Sequence, residues 1–330
     1  MSADFLPTAS WKNLRLRAEL LQRVRTFFSQ RGFMEVETPI LSHEMVVDMN
    51  LEAFSTTFAG DPRQPTLGEK LWLQTSPEAA MKRLLVSGAA HGINAIYQIT
   101  RSFRNGERGA RHNPEFTMVE WYRVGDDMAA GMKLLDELCQ DLLARGPANR
   151  ITYAEAFARY VGIDPHAASV AELSAMATKH QLSIPSGFEA VERDEWLNLL
   201  LAELVEPRLG FETPELLCDY PASQAALAVL RGDNPPVAER FELYVDGIEL
   251  ANGFHELTDA NVLREREQIE NGVRIADGRP ALPGAASLIA AMERGLPAST
   301  GVALGFDRVV MLAAGAKTID EVIAFPFERA

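Results

Sequence analysis

The stretch FRNGERGARHNPEFTMVEWY, Phe103 to Tyr122, decides how the chain is read. Its second half alternates. Phe116, Met118, Glu120 and Tyr122 fall on one face, because successive side chains of a strand point to opposite sides. A carboxylate and a phenol sharing a face with Phe and Met suit neither a solvent face nor a plain core. They suit a pocket with an aromatic wall and an anionic end. Taken alone, the stretch also fits a half-exposed edge strand. Ahead of it comes a polar loop rich in Arg, and ahead of that residues 95–103 read as a second strand. Arg104, Arg111 and His112 in the loop, with Arg308 far along the chain, are candidate phosphate binders. Arg308 is expected in the first turn of a helix, where the unpaired N–H groups favour anions and a guanidinium adds a fork of donors. For any single Arg a surface salt bridge is the plain alternative.

A second constellation lies at 241–253. Asp246-Gly247 between two alternating runs is a strong signal for a two-residue hairpin turn. Val245 then pairs with Ile248 and Tyr244 with Glu249, and Glu242 shares the face of Tyr244. Glu242 and Glu249 are thus expected on one side of the hairpin. Two such carboxylates repel unless a cation lies between them, and magnesium is the natural oxygen-liking ion beside a nucleotide. The alternative is a solvated acidic face. Glu256 has the opposite parity to Glu249 and joins it only if the chain bends, which Gly253 permits.

The remaining segments supply a frame. Residues 1–9 read as a loose tail. Ser10 caps a helix with Trp11, Leu14, Leu20, Leu21, Val24, Phe27 and Phe28 on its apolar side, and Gly32 ends it. Residues 33–36 are extended, 61–68 form a Pro/Gly-rich loop, and 71–74 read as a strand. Ser76-Pro77-Glu78 opens a helix, with Ser as the cap and Pro at its first position. Residues 131–144 and 194–205 read as helices, and Thr152-x-x-Glu155 is a capping box. A polar helix is expected over 259–270, a short strand near 302–304 and a helix over 306–314. Hairpin strands mixed with helices suggest an α+β fold with an antiparallel sheet.

Composition narrows the function. The chain has 330 residues, 47% hydrophobic, and a formal charge of −14. Its pI is about 5.0, and Arg101, Arg104, Arg108 and Arg111 form the one dense basic stretch, so the residues give no strong sign of tRNA or general nucleic-acid binding. No apolar run reaches membrane-spanning length, and the start, MSADFLPTASWKNLRLR, lacks an apolar core segment and a small-residue cleavage site, so it does not read as a signal peptide. Cys139 and Cys218 read as two buried free thiols. These features together predict a cytoplasmic protein.

In order, the pieces resemble the class II aminoacyl-tRNA synthetases. RGFMEVETPIL (Arg31 to Leu41) is similar to motif 1, the Phe103 to Tyr122 stretch to motif 2, and GVALGFDRVVML (Gly301 to Leu312) to motif 3. TSPEAAMKRLL (Thr75 to Leu85) and GIELANGFHELTDA (Gly247 to Ala260) resemble the lysyl branch. The resemblance implies a class II catalytic core over residues 10–330, an antiparallel sheet flanked by helices. Motif 1 begins too early to leave room for the anticodon-binding barrel of lysyl-tRNA synthetases. The arrangement is similar to the free-standing lysyl-synthetase paralogues, which attach (R)-β-lysine to a lysine of elongation factor P.

By that resemblance Arg104 and Arg308 are catalytic, Arg104 holding the α-phosphate and the amino-acid carboxylate. Arg111, His112 and Arg308 hold the outer phosphates of ATP. Asn105, Asn113, Phe116, Leu250 and Gly305 line the nucleotide, with Phe116 stacking on adenine. Glu242 and Glu249 bind Mg²⁺, so Glu249 also belongs to the ATP site. Ser76, Pro77 and Glu78 surround the amino group near the reacting carboxylate. Glu120, Tyr122 and Glu256 surround the distal amine of a lysine-type amino acid. Ala303 stands where the lysyl-tRNA synthetases usually have Gly, which predicts selection against α-lysine. One departure is Arg104-Asn105-Gly106, where the family reads Arg-x-Glu; Glu107 follows. Motif 1, an apolar helix and strand, predicts a homodimer. On the residues alone, an enzyme of this type with another acceptor stays open, and so does a regulatory subunit that has lost activity.

Overall fold

Ser10 Oγ accepts a hydrogen bond from Asn13 N and starts the helix Trp11–Gln30, which buries Leu20, Val24, Phe27 and Phe28. Those positions recur at the spacing of one helix face. The Phe28 ring stacks on Tyr97 at 4.6 Å and meets Trp121 at 5.1 Å, which seats the helix on the strands carrying those residues. Gly32, at φ +76°, turns the chain after the helix, a conformation that costs a glycine little.

The computed structural model describes residues 5–61, 63–64, 66–184 and 192–330. Residues 1–4 of the expected tail, and 62 and 65 of the expected loop, lie outside them. The described part of the tail is fastened: Thr8 N and Oγ1 both donate to Ala324 O, and Ala9 is buried.

The chain divides into two units, residues 1–126 with 257–330, and residues 127–256. In the first, Met34–Glu35 runs parallel to Ala95–Phe103, which pairs antiparallel with Glu115–Val124, which pairs antiparallel with Ser299–Gly305. A small antiparallel sheet joins Leu41–Ser42, Glu69–Leu73 and Ser55–Phe58. In the second unit, Asn149–Thr152 runs parallel to Glu215–Pro221, and Val237–Val245 pairs antiparallel with that strand and with Ile248–His255. The helices Tyr153–Tyr160, Val170–Lys179 and Arg193–Leu200 bury Phe157, Leu173 and Leu197 in this unit's core. Antiparallel pairs dominate among helices, the α+β arrangement expected. Cys139 and Cys218 are free and buried, and burial pushes both thiols up to about 12.

Several boundaries differ from the sequence reading, each for a local reason. Ser76 does not cap the helix that follows; Pro77 holds the cap position and the helix is Glu78–Gly88. Asp127 accepts from Ala130 N at 2.8 Å, so the next helix begins at Met128 rather than at 131. The expected helix over 194–205 is Arg193–Leu200 followed by a π-turn, Leu201–Val205. The polar helix runs Ala260–Ala276, past Gly272. Arg274 explains the extension. It is 0% exposed, and its guanidinium donates to the carbonyls of Asp48, Leu51 and Pro280 and pairs with Glu52. Tertiary bonding of that kind outweighs the roughly 1 kcal/mol helix penalty of a glycine.

That helix seats a strap, residues 44–52. Met49 N donates to Glu270 at 2.7 Å, and Ser287 N and Oγ donate to Glu44 at 2.7 and 2.9 Å. Burial, and next the nearby Asp48, push Glu270 up to about 7. The strap's Glu52 O accepts from Asn105 N at 2.7 Å, which ties the Arg-rich loop to it.

Candidate active site

In the first unit the strand Glu115–Val124 places Glu120 and Tyr122 on one face, as alternation requires, and both are buried. Tyr122 Oη donates to Glu120 Oε1 at 2.6 Å. In register, Glu120 lies opposite Gln98 on one neighbouring strand and opposite Ala303 on the other. The Ala303 methyl therefore stands on the Glu120 face of the sheet.

Glu78 opens the helix Glu78–Gly88, with Pro77 buried and Ser76 half-buried ahead of it. Its Oε1 accepts from Lys82 Nζ at 2.5 Å. Lys82 is 2% exposed and stands 5.8 Å from the centre of the Tyr122 ring. The sequence reading missed Lys82. The signal was present, since Glu followed by Lys four residues later is the helix ion-pair spacing, but that spacing is far commoner on solvent faces.

The loop between the strands gathers cations. Arg308 Nη2 and His112 Nε2 are 2.5 Å apart, and Arg308 Nε donates to Arg111 O at 3.4 Å. Packing around the ring, then the Arg308 charge, lower the His112 pKa. A neutral imidazole accepts from a guanidinium, and a guanidinium carries five N–H donors in a fixed fork. Arg104 lies over the Phe116 ring at 5.1 Å, with Glu107 Oε1 at 3.9 Å from its Nη1. Its Nε is buried without a hydrogen-bond partner among the described residues. Gly106 sits at φ +83° with nothing within 4 Å of a Cβ built there. The Asn113 side chain donates to Glu115 O at 2.7 Å and accepts from Phe327 N at 3.0 Å, a bracing role the sequence did not suggest.

Gly305 precedes the helix Phe306–Ala314, so Arg308 is in its first turn as expected. Asp307, also missed, is 1% exposed and fixes this turn: it accepts from Thr117 N at 2.9 Å and pairs with Arg17 at 2.6 Å.

In the second unit the hairpin has the expected turn, with Val245 opposite Ile248 and Tyr244 opposite Glu249. Beyond it the register shifts: Leu243 lies opposite Ala251 and Glu242 opposite Asn252, so Leu250 is an extra residue. This bulge, rather than a bend at Gly253, changes the parity. It sets Glu249, Asn252 and Glu256 on the face of Glu242. Leu250 is buried. Glu242 is 5% exposed and takes Arg240 Nη2 and Tyr244 Oη, each at 2.6 Å. Arg240 thus supplies positive charge beside Glu242 without an added ion. The donor chemistry still suits magnesium. Both groups offer carboxylate oxygens, the donor type that a hard ion prefers. Among the described residues no set of three or more His, Cys, Asp or Glu gathers as a metal site.

Comparison with known proteins gives the family. The family model described as tRNA synthetases class II (D, K and N) matches residues 3–329. The elongation factor P--(R)-beta-lysine ligase of Vibrio vulnificus (strain YJ016) is 48% identical over 327 residues, which cover 99% of this chain and 99% of that relative.

Proposed function

The chain belongs to the class II tRNA synthetases (D, K and N), and from that premise we propose that it activates (R)-β-lysine with ATP and transfers it to a lysine side chain of elongation factor P. The observation that carries this reading is the buried face of Glu120 and Tyr122, an anionic end for an ammonium-bearing substrate, with Lys82, the partner of Glu78, 5.8 Å from the Tyr122 ring, on the same strand pair whose loop gathers Arg104, His112 and Arg308. An ammonium taken out of water needs such counter-charges.

In the first step the carboxylate of the amino acid attacks the α-phosphorus of ATP in line, and pyrophosphate leaves. In the second the amine of the acceptor attacks the carbonyl of the adenylate, loses a proton, and AMP leaves. Neither step needs a protein nucleophile; both need positioning and charge stabilisation. We assign Arg104 to the α-phosphate and the amino-acid carboxylate. Arg111, His112 and Arg308 are assigned to the outer phosphates, and Asn105, Asn113, Phe116, Leu250 and Gly305 to the nucleotide. Glu78, with Ser76 and Pro77, takes the amino group near the reacting end, and Glu120, Tyr122 and Glu256 the distal amine. Glu242 and Glu249 are assigned to magnesium, which would offset phosphate charge when bound. We further assign a cytoplasmic location and a homodimer, the latter supported by the exposure of Met34, Ile40 and Leu41 on the motif 1 segment and of Trp11 on the helix before it. No described helix is long and apolar enough to cross a membrane.

The test is an acceptor assay with elongation factor P beside bulk tRNA, together with amino-acid-dependent pyrophosphate exchange. Labelling of the factor alone is expected. Labelling of tRNA instead would move the enzyme to another acceptor, and absence of exchange would make it a relic.

A further inference from the structure

Arg108 lies in the phosphate-binding loop among its cations, yet its guanidinium turns away from them. Nε and Nη2 donate to the two carboxylate oxygens of Glu328 at 2.7 and 2.9 Å, and Nη2 also donates to Asp320 at 2.9 Å. Nη1 gathers the loop itself, donating to Gly109 O at 3.0 Å and His112 O at 3.3 Å. Hydrogen bonds to Glu328 and then Asp320 raise its pKa. Three further bonds run between the same two segments or within the loop's base. Ile319 N donates to Ala110 O at 2.8 Å, Phe327 N to Asn113 Oδ1 at 3.0 Å, and Asn113 Nδ2 to Glu115 O at 2.7 Å.

The loop is otherwise held by Arg104 N on Pro114 O, by Asn105 N on Glu52 O and by Arg308 beside Arg111 and His112. Its internal ladder is one isolated bridge, Gly109 with His112, and Arg111 and His112 lie at the surface. A loop of this kind would scatter its cations over many positions, and ordering them on ATP would cost conformational entropy. The segment 319–329 meets that cost in advance.

We propose that residues 319–329 are a brace for the phosphate-binding loop and that Arg108 is a positioning residue, spanning loop and brace rather than touching ATP. This rests on the assignment of Arg104, Arg111, His112 and Arg308 to the nucleotide. It adds that the geometry of those groups is set by Asp320, Asn113 and Glu328.

The experiment measures pyrophosphate exchange, direct ATP binding and urea unfolding in Arg108→Gln, Glu328→Gln and the double variant. Partly exposed charge-assisted bonds of this number predict a rise in ATP KM and Kd of about three- to tenfold in Arg108→Gln. The amino-acid KM, kcat at saturating ATP and the unfolding midpoint are expected to hold. Glu328→Gln is expected to give part of that rise, and the double variant no more than Arg108→Gln alone, because both changes break the same contact. If the two effects add in full, Arg108 acts on phosphate directly and the proposal falls. It falls also if Arg108→Gln leaves ATP binding unchanged, or if any change follows the unfolding midpoint. Wild-type protein without ATP binding would instead count against the nucleotide assignment itself.

Discussion

The strand Glu115–Val124 and the loop before it handle charge in opposite ways. On the strand side each carboxylate meets a partner close in sequence: Tyr122 donates to Glu120 two residues away, and Lys82 to Glu78 four residues away. The loop collects Arg104, Arg108 and Arg111, with Arg308 beside His112, and its supports come from distant segments, Glu52 O on the strap, and Glu328 and Phe327 N beyond the final helix. The difference separates two tasks. A pocket for one small ammonium-bearing substrate is built from buried, pre-paired groups. A seat for a polyphosphate needs surplus positive charge, and surplus charge is held in place only by outside bracing.

The hardest test of that division is Arg308→Ala. Pyrophosphate exchange is expected to fall about 10²–10³-fold, the scale of losing one preorganised charge donor, with the amino-acid KM little changed. If the amino-acid KM rises in step with that of ATP, the two tasks are not separate.

The loop's support through the strap gives the next largest effect. Glu270, under Met49, has its pKa raised from 4.5 to about 7 by burial first and Asp48 second. Its stabilising contribution is complete below the unfolded value and is lost as pH rises through the folded one. A shift of that size corresponds to about 3 kcal/mol lost between roughly pH 4.5 and 7. Urea unfolding from pH 5 to 8 should show the loss in the wild type and a flatter profile in Glu270→Gln. Equal slopes in the two proteins would remove Glu270 from the account.

Ala303 tests the pocket side. Its methyl stands opposite Glu120, and by the proposed assignment a β-carbon there takes space from the amino acid. Ala303→Gly is expected to shift the kcat/KM ratio toward α-lysine over β-lysine by about tenfold, the usual worth of one methyl group in a close-packed site. An unchanged ratio would move selectivity to Glu78 or Tyr122.

The smallest effect is expected at Gly106. A carboxylate there restores the family's Arg-x-Glu pattern, and a charge-assisted bond to adenine is worth roughly 1.5–3 kcal/mol. The backbone opposes it, because φ is +83° and a side chain in that region costs about 1–2 kcal/mol. Gly106→Glu should therefore move ATP affinity by only about a few-fold. The preference for ATP over GTP, measured by competition, is the sharper readout.

What the sequence showed and what it hid follow the same division. Alternation placed Glu120 with Tyr122, and a turn signal placed Glu249 opposite Tyr244, because these relations span a few residues and follow from backbone period alone. Asp307 with Arg17, Asn113 with Phe327 and Arg274 with Glu52 were hidden, since they join residues 200 or more positions apart and no local pattern marks them. The helix Val170–Lys179 was missed although Ser169 and Glu172 form a capping box that could have revealed it. The strand Glu215–Pro221 is buried along most of its length, so it lacks the alternation that marks a strand with one wet face.

The bulge at Leu250 has a consequence for insertions and deletions as opposed to substitutions. One extra residue fixes which side of the sheet every later side chain of that strand takes. If the strand instead ran in regular alternation with Leu250 in it, Asn252, Phe254 and Glu256 would trade faces with Ala251, Gly253 and His255, while Glu249 stayed where it is. Glu249 and Glu256 would then lie back to back across the sheet, with every residue type in the hairpin's functional set still present. Deleting Leu250 removes the extra residue and still leaves Glu249, Asn252 and Glu256 on one face, so what this hairpin depends on is the bulge while the extra residue is there.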